Sequence, residues 1–374
     1  MFVRLVIVLF FLISCDSEKK TFFSGKILNK TSNYISLFKD NIIISESVVD
    51  TAGAFMIEID NIEEGLYTFY HEPEFQYLII DRYDNLQIRL NTLDFDESLV
   101  YTGEGSSKNN FLMDVFLKNE LDEDKINSSL DLDIKNFKKL VDSLYNEQQN
   151  SFTNFIETNK LSISSKEIIK TAILYPYISK FHSYIIRNNT EENDQIILFD
   201  EYNDKYSFDL NTLAYFKPYI DFIYLHVYNK VKNINEYSNS LDFNIKRLIF
   251  TNDLIDSDLI KSRVLRFHAV GFLLQREEDS INKKFLSSFY TISKNKSVNE
   301  EIRNLYEDLK RWNYLLPLLK SSKNFFNPIS VRGWFKRLLI DLRGVVTTSA
   351  PIFAQFIICI GFLIEAARIS VPKS

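Results

Sequence analysis

The stretch "DTAGAFMIEI", residues 50–59, opens on turn-forming residues and then alternates. Phe55, Ile57 and Ile59 fall on one face, and Met56 and Glu58 on the other. Successive side chains of a strand point to opposite faces, so this period of two predicts a half-buried β-strand led in by a turn at Asp50–Gly53. The same signal extends outward. "YISLF" (34–38) and "NIIISESVV" (41–49) are β-branched runs parted at Lys39 and Asp40. "GLYTFY" (65–70), "QYLII" (76–80) and "LQIRL" (86–90) follow, bounded by turn residues such as Pro73, Asp84 and Asn85. Short strands at this spacing predict an antiparallel sandwich over residues 22–105.

Glycine usage then changes. Gly25, Gly53, Gly65, Gly103 and Gly105 precede residue 106, and between there and 332 there is only Gly271. The glycine-poor middle carries helical periodicity in "IKNFKKLVDSLYNEQQNSFTNFI" (134–156) and "LIKSRVLRFHAVGFLLQ" (259–275). Ser164-Ser165-Lys166-Glu167 and Ser297-Val298-Asn299-Glu300 fit the capping box that opens a helix. After the second, Ile302, Leu305, Tyr306, Leu309 and Trp312 recur as one apolar stripe. The polar "RNNTEENDQ" (187–195) reads as a loop. The fold class expected is α+β, an N-terminal antiparallel β-sandwich followed by an all-α domain at 106–316.

The chain has 374 residues, 45% hydrophobic and 25% charged, which is ample for a packed core. Its net charge of −6 and pI near 5.5 speak against nucleic acid as a partner, since phosphates call for a basic face. The 32 Phe and 20 Tyr accompany abundant Asn, Lys and Ile and read as compositional bias. His71, His182, His226 and His268 are scattered without ligand spacing, so no metal is expected.

The N-terminus is distinct. Arg4 and "LVIVLFFLI" (5–13) form the charged and apolar regions of a secretory signal, too short to span a bilayer comfortably. Leu12-Ile13-Ser14-Cys15 resembles a bacterial lipobox, with the cysteine where the apolar run gives way to "DSEKK". The resemblance implies cleavage after residue 14 and lipidation of Cys15; several acyl chains make a stable anchor where one is marginal. The alternative is an ordinary cleavable signal with an incidental cysteine. The lipoprotein reading implies a signal peptide at 1–14 and a tether at 15–21. It also implies a membrane-anchored place in the cell envelope of a Gram-negative bacterium, at the outer membrane on its periplasmic or surface face.

"SGKI", "DTAGAFMIEI", "EEGLYTF", "NLQIRL" and "YTGEGSSKNNFL" occur in that order between residues 24 and 112. This order resembles the β-sandwich domain of unknown function that precedes the thioredoxin domain in bacterial thiol-disulfide oxidoreductase lipoproteins. The matching positions are Asp50, Gly53, Phe55, Gly65, Tyr67, Gly103, Gly105 and Asn110. Those relatives continue into a thioredoxin fold with Trp-Cys-x-x-Cys, where one thiolate attacks and the second resolves the mixed disulfide. That motif is missing from this chain. Cys359 lies in "FIICIGF" without a neighbouring cysteine, and only "LIDLRGVV" (339–346) faintly resembles the entry to a thioredoxin domain.

No nucleophile elbow, Walker loop or dinucleotide fingerprint is present. Glu63-Glu64, Asp94 with Asp96, and Glu191-Glu192 read as solvated loop carboxylates. Residues 317–374 form an atypical tail whose segment 345–364 is nearly uncharged. It is open to three readings: a membrane or interfacial helix, a buried helix, or a frame-shifted remnant of a thioredoxin domain. The function expected is a lipid-anchored, non-catalytic binding or accessory module without cofactor. Its partners would be the membrane, through the anchor, and an unidentified envelope protein or ligand. The alternative is a thiol-disulfide oxidoreductase truncated before its Cys-x-x-Cys.

Overall fold

The computed structural model describes residues 20–232, 240–275 and 277–321. The signal peptide, Cys15, Cys359 and the apolar segment 345–364 lie outside the described residues. Eight strands make two four-stranded sheets. The first has the order β4 (Ala54–Ile59), β1 (Thr21–Leu28), β7 (Asn85–Asn91), β8 (Val100–Glu104). The second runs β3 (Ile42–Val48), β2 (Tyr34–Lys39), β5 (Gly65–His71), β6 (Glu74–Ile80). Neighbours are antiparallel with one exception, β1 beside β7, which run parallel with Phe23 opposite Leu86. The chain visits the other sheet twice between these two strands, and that crossover frees β7 to return in the direction of β1.

The founding stretch behaves as its alternation requires. Phe55, Ile57 and Ile59 are buried while Met56 and Glu58 are exposed. Asp50 makes the turn: its Oδ1 accepts from the backbone N–H of Ala52 at 2.8 Å and Ala54 at 2.7 Å. Gly53 has φ +82°, and a Cβ there would sit 2.1 Å from the Ile27 carbonyl oxygen. Only glycine lets the turn lie this close to β1, whose Ile27 N–H donates to the Gly53 carbonyl at 2.8 Å. Phe55 then meets Phe23 edge-on at 5.2 Å in the core between the sheets.

A four-residue helix, α1 (Phe95–Ser98), joins β7 to β8, and α2 (Ser106–Asn127) follows directly. α2 ties the two halves together. Asn109 Oδ1 accepts from the Ile79 N–H at 2.7 Å and its Nδ2 donates to the Ile79 carbonyl at 2.8 Å. Asn110 makes the same pair of bonds with Tyr101, at 2.9 and 2.8 Å. Each amide thus stands in for a further strand, one on edge strand β6 and one on edge strand β8. Lys108, 4% exposed, donates to Asp81 at 2.8 Å and Asp84 at 2.6 Å. One turn on, Met113 enters the sandwich core while Leu112 and Val115 enter the helical one.

The helical half continues with α3 (Ile134–Thr158), α4 (Ile163–Asn188), α5 (Glu192–Phe199), α6 (Lys217–Val231), α7 (Leu241–Leu254), α8 (Asp258–Leu273), α9 (Asp279–Ile292) and α10 (Lys296–Ser321). Helix α4 is central, burying residues such as Ile169, Ile173, Tyr177 and Phe181. Its cap is Ser162, two residues before the expected box, because the Ser162 Oγ takes the Ser165 N–H at 3.0 Å. Ser162 and Ser165 also reach the Asp81 carboxylate, at 3.0 and 2.8 Å, so the cap doubles as a bond to the sandwich. Helix α10 likewise starts two residues early, with Asn295 Oδ1 taking the Val298 N–H at 3.1 Å. Ile302, Leu305, Tyr306 and Leu309 pack with α7, α8 and α9 in a second helical core. The supposed loop 187–195 is mostly helix end, leaving 189–191 between α4 and α5. Among the described residues no helix is long and apolar enough to cross a membrane.

Candidate functional site

The outer face of the second sheet has two neighbours. Leu66 and Ile79 lie under the helices and belong to their core. Beyond them the sheet leaves its helical cover, and a cleft opens there. Its floor is Phe38 from β2, Thr68 and Tyr70 from β5, and Phe75 and Tyr77 from β6. Its roof is Thr212 and Tyr215, which flank the end of a short 3-10 turn (Asn211–Leu213), together with Arg263 of α8. The β2–β3 hairpin turn, Asp40-Asn41, makes the rim. Both turn residues have positive φ, +50° and +64°, the backbone geometry of a tight hairpin. The cleft is small and open: about 600 Å³ counted out into solvent, of which about 40 Å³ has room for water.

Tyr77 is the hinge post of this site. Its hydroxyl donates to the Tyr215 carbonyl at 3.4 Å and accepts from the Lys217 N–H at 3.1 Å. Burial pushes the phenol up to about 12, so it stays protonated and can serve as that donor. Its ring meets Phe216 edge-on at 5.0 Å and Phe75 edge-on at 5.7 Å. Sheet and helices are thereby held at a fixed spacing across the cleft floor.

Arg263 supplies the charge. Its guanidinium lies 4.4 Å from the centre of the Tyr215 ring. Its Nε is buried and has no hydrogen-bond partner. The next arginine, Arg266, takes Glu301 with both Nε, at 2.7 Å, and Nη2, so Glu301 is occupied. Among the described residues no carboxylate forms an ion pair with Arg263. Burial, and then the neighbouring Arg266, push its pKa down, with Tyr215, Tyr77 and Glu301 opposing them more weakly.

The four histidines serve the packing. His71 Nδ1 bonds the Tyr34 carbonyl at 3.0 Å and its Nε2 accepts from the Thr31 N–H at 3.2 Å. His268 lies against Arg247; because the guanidinium can only donate, Nδ1 accepts at 2.6 Å and Nε2 carries the proton toward Thr251 at 3.1 Å. His182 and His226 meet at 5.2 Å in an aromatic nest with Phe208 and Phe222. Glu63, Glu64, Asp94 and Glu191 are exposed, as solvated carboxylates are; Asp96 differs, accepting from Gln76 Nε2 at 2.8 Å, with partial desolvation raising its carboxyl. Among the described residues no group of three or more His, Cys, Asp or Glu side chains is placed to hold a metal ion.

None of the cleft residues stands out in the sequence as a site. Arg263 reads there as one position of an amphipathic helix, and the tyrosines as part of an aromatic-rich composition. The one available signal is that "GLYTFY" carries aromatics and "QYLII" large apolar side chains on both faces of their strands, where a solvated outer face needs none. The chain matches no family model, no curated protein and no solved structure.

Proposed function

We propose that the chain is a lipid-anchored cell-envelope protein acting as a binding or accessory module, with the cleft between sheet and helices as its binding site. The observation that carries this reading is the cleft itself: aromatic walls from both halves converging on Arg263, whose buried Nε has no hydrogen-bond partner among the described residues. Ligand sites are concave, mostly apolar, and oriented by a few polar groups. The expected lipid at Cys15 would hold the module at the membrane through the 15–21 tether. The likeness of the front to the sandwich domain of redox lipoproteins fits an envelope setting, and the chemistry proposed is recognition rather than thiol exchange.

The test is native mass spectrometry of the chain extracted from the membranes of its own cells in mild detergent. A non-covalent adduct is expected on the wild type. It should be lost in Thr68→Trp, which puts an indole into the cleft from a half-buried floor position. An adduct undiminished in that variant, or a wild-type chain always free of adduct, refutes the reading.

A further inference from the structure

The proposed binding site can be taken one step further, to the chemistry of its ligand. Arg263, half-buried, lines the cleft with one face of its guanidinium on Tyr215 and a buried Nε–H that has no acceptor among the described residues. A buried donor without a partner is costly. Elsewhere the chain pairs its buried charges. Lys108 has Asp81 and Asp84, and Arg266 has Glu301. Arg247, also buried without a carboxylate among the described residues, has Asn244 Oδ1 at 3.2 Å and His268 as neutral acceptors. Arg263 has neither kind of partner among the described residues; Arg247 shares an unpartnered buried Nε, but of these cations Arg263 alone lines the cleft.

Shape and charge select among anions. The planar, forked guanidinium matches a planar carboxylate in bidentate fashion. A phosphate monoester would bring close to two negative charges. Asp40, also on the lining, repels the second, and among the described residues no lysine lines the cleft to hold it. The other walls include Phe38, Tyr70 and Phe75, with the Thr68 and Thr212 hydroxyls among them. These rings favour an apolar or aromatic body.

We propose that the cleft takes a ligand with a single carboxylate on an apolar or aromatic body, the carboxylate on Arg263 and the body across Phe38, Tyr70 and Phe75. This rests on the cleft being the binding site. Peptide C-termini and aryl or acyl carboxylic acids share this chemistry.

The experiment compares N-acetyl-L-phenylalanine with its primary amide, which differ only at the carboxylate, on the full chain in detergent. Saturation-transfer NMR and calorimetry, with probe up to about 10 mM, read the binding. The acid is expected to bind roughly ten- to a hundred-fold more tightly than the amide, the range of a charge-assisted hydrogen-bonded pair. Arg263→Gln should erase that difference, Arg263→Lys should keep part of it, and Thr68→Trp should remove both ligands. Equal binding of acid and amide by the wild type overturns the carboxylate assignment, and it requires no variant to fold. Inorganic phosphate displacing the acid as well as acetate does overturns it too. If the acid fails to bind while the native adduct of the wild type is still lost in Thr68→Trp, the cleft stands and the ligand class falls. If the acid binds equally to wild type and Thr68→Trp, both fall.

Discussion

Replacing Asn109 by Ala is expected to destabilise the chain more than its size suggests. The side chain is 1% exposed and makes three bonds, two to Ile79 and one to the Gly105 carbonyl at 3.1 Å. Ile79 is wholly buried, so its N–H and carbonyl lose their partners where water cannot replace them. Each orphaned group costs about 1–3 kcal/mol, so the two give a loss of about 2–6 kcal/mol from a total of typically 5–15 kcal/mol. Asn110→Ala removes the equivalent bonds from Tyr101, but Asn110 is half-buried and water can enter. Its loss should stay near 1 kcal/mol. In urea, with a slope of about 2 kcal/mol per molar, Asn109→Ala should lower the midpoint by about 1–3 M and Asn110→Ala by about half a molar. Asn109→Asp keeps the acceptor for the Ile79 N–H and loses the donor to its carbonyl, so it should also be destabilising. The reasoning is wrong if Asn109→Ala shifts the midpoint no further than Asn110→Ala does. That result would mean that β6 does not need its edge sealed.

Four further outcomes follow. Burial lowers His226 to about 4, whereas in the unfolded chain it titrates near 6.5; the unfolded state therefore takes up the proton first as pH falls, and stability is lost from about pH 6.5 downward. Between pH 6.5 and 5 this amounts to about 2 kcal/mol for that residue, and urea midpoints that fall equally in wild type and His226→Phe would contradict it. Asp122 is fully buried; burial alone would raise its carboxyl, but Lys118 at 2.9 Å, the Tyr177 hydroxyl at 2.8 Å and Lys125 at 3.1 Å bring it below its ordinary range. Asp122→Ala takes the acceptor from the buried Tyr177 hydroxyl and leaves Lys118 only the exposed Glu147 at 3.4 Å, and should cost about 3 kcal/mol in calorimetric unfolding, with a loss under about 1 kcal/mol speaking against a structural role. Cys15→Ala should abolish acyl labelling and membrane retention, and labelling that persists removes the anchor. Residues 20–105 alone lack Asn109, Asn110 and Met113, so circular dichroism should find that fragment less stable than residues 20–127, and equal melting of the two would refute the sealing role of α2.

The strands were readable because their signal is local. In β4 the alternation of Phe55, Ile57 and Ile59 with Met56 and Glu58 needs no knowledge of the partner strand, and the Asp50 turn carries its own hydrogen bonds. The parallel pairing of β1 with β7 joins residues about sixty positions apart and leaves no trace in either segment. The helix starts show a different limit. Ser162, Ser164 and Ser165 are all competent caps, and a capping box favours the serine three residues before Glu167. Tertiary contact decides otherwise, since Ser162 and Ser165 can both reach Asp81 only if the helix begins at residue 163. At α10 the asparagine at 295 outcompetes Ser297 for the same reason that either could serve, a short polar side chain that accepts from the third N–H on.

The cleft was hidden by the opposite circumstance, a surplus that is visible only in three dimensions. One face of the second sheet fills the sandwich, with Leu37, Phe69 and Leu78, and the other would be polar if water were its only neighbour. Instead that outer face carries Leu66, Phe38, Tyr70, Phe75, Tyr77 and Ile79. The helices consume Leu66, Ile79 and most of Tyr77. Had packing been the only demand, the apolar surface would stop where the helices stop. It continues through Phe38, Tyr70 and Phe75 toward the Asp40-Asn41 rim, and the Arg263 Nε beside it has no acceptor among the described residues. An apolar floor beyond the reach of the core and a cation without a counter-charge are each unfavourable alone. Set in one cleft, both are relieved by the same kind of occupant.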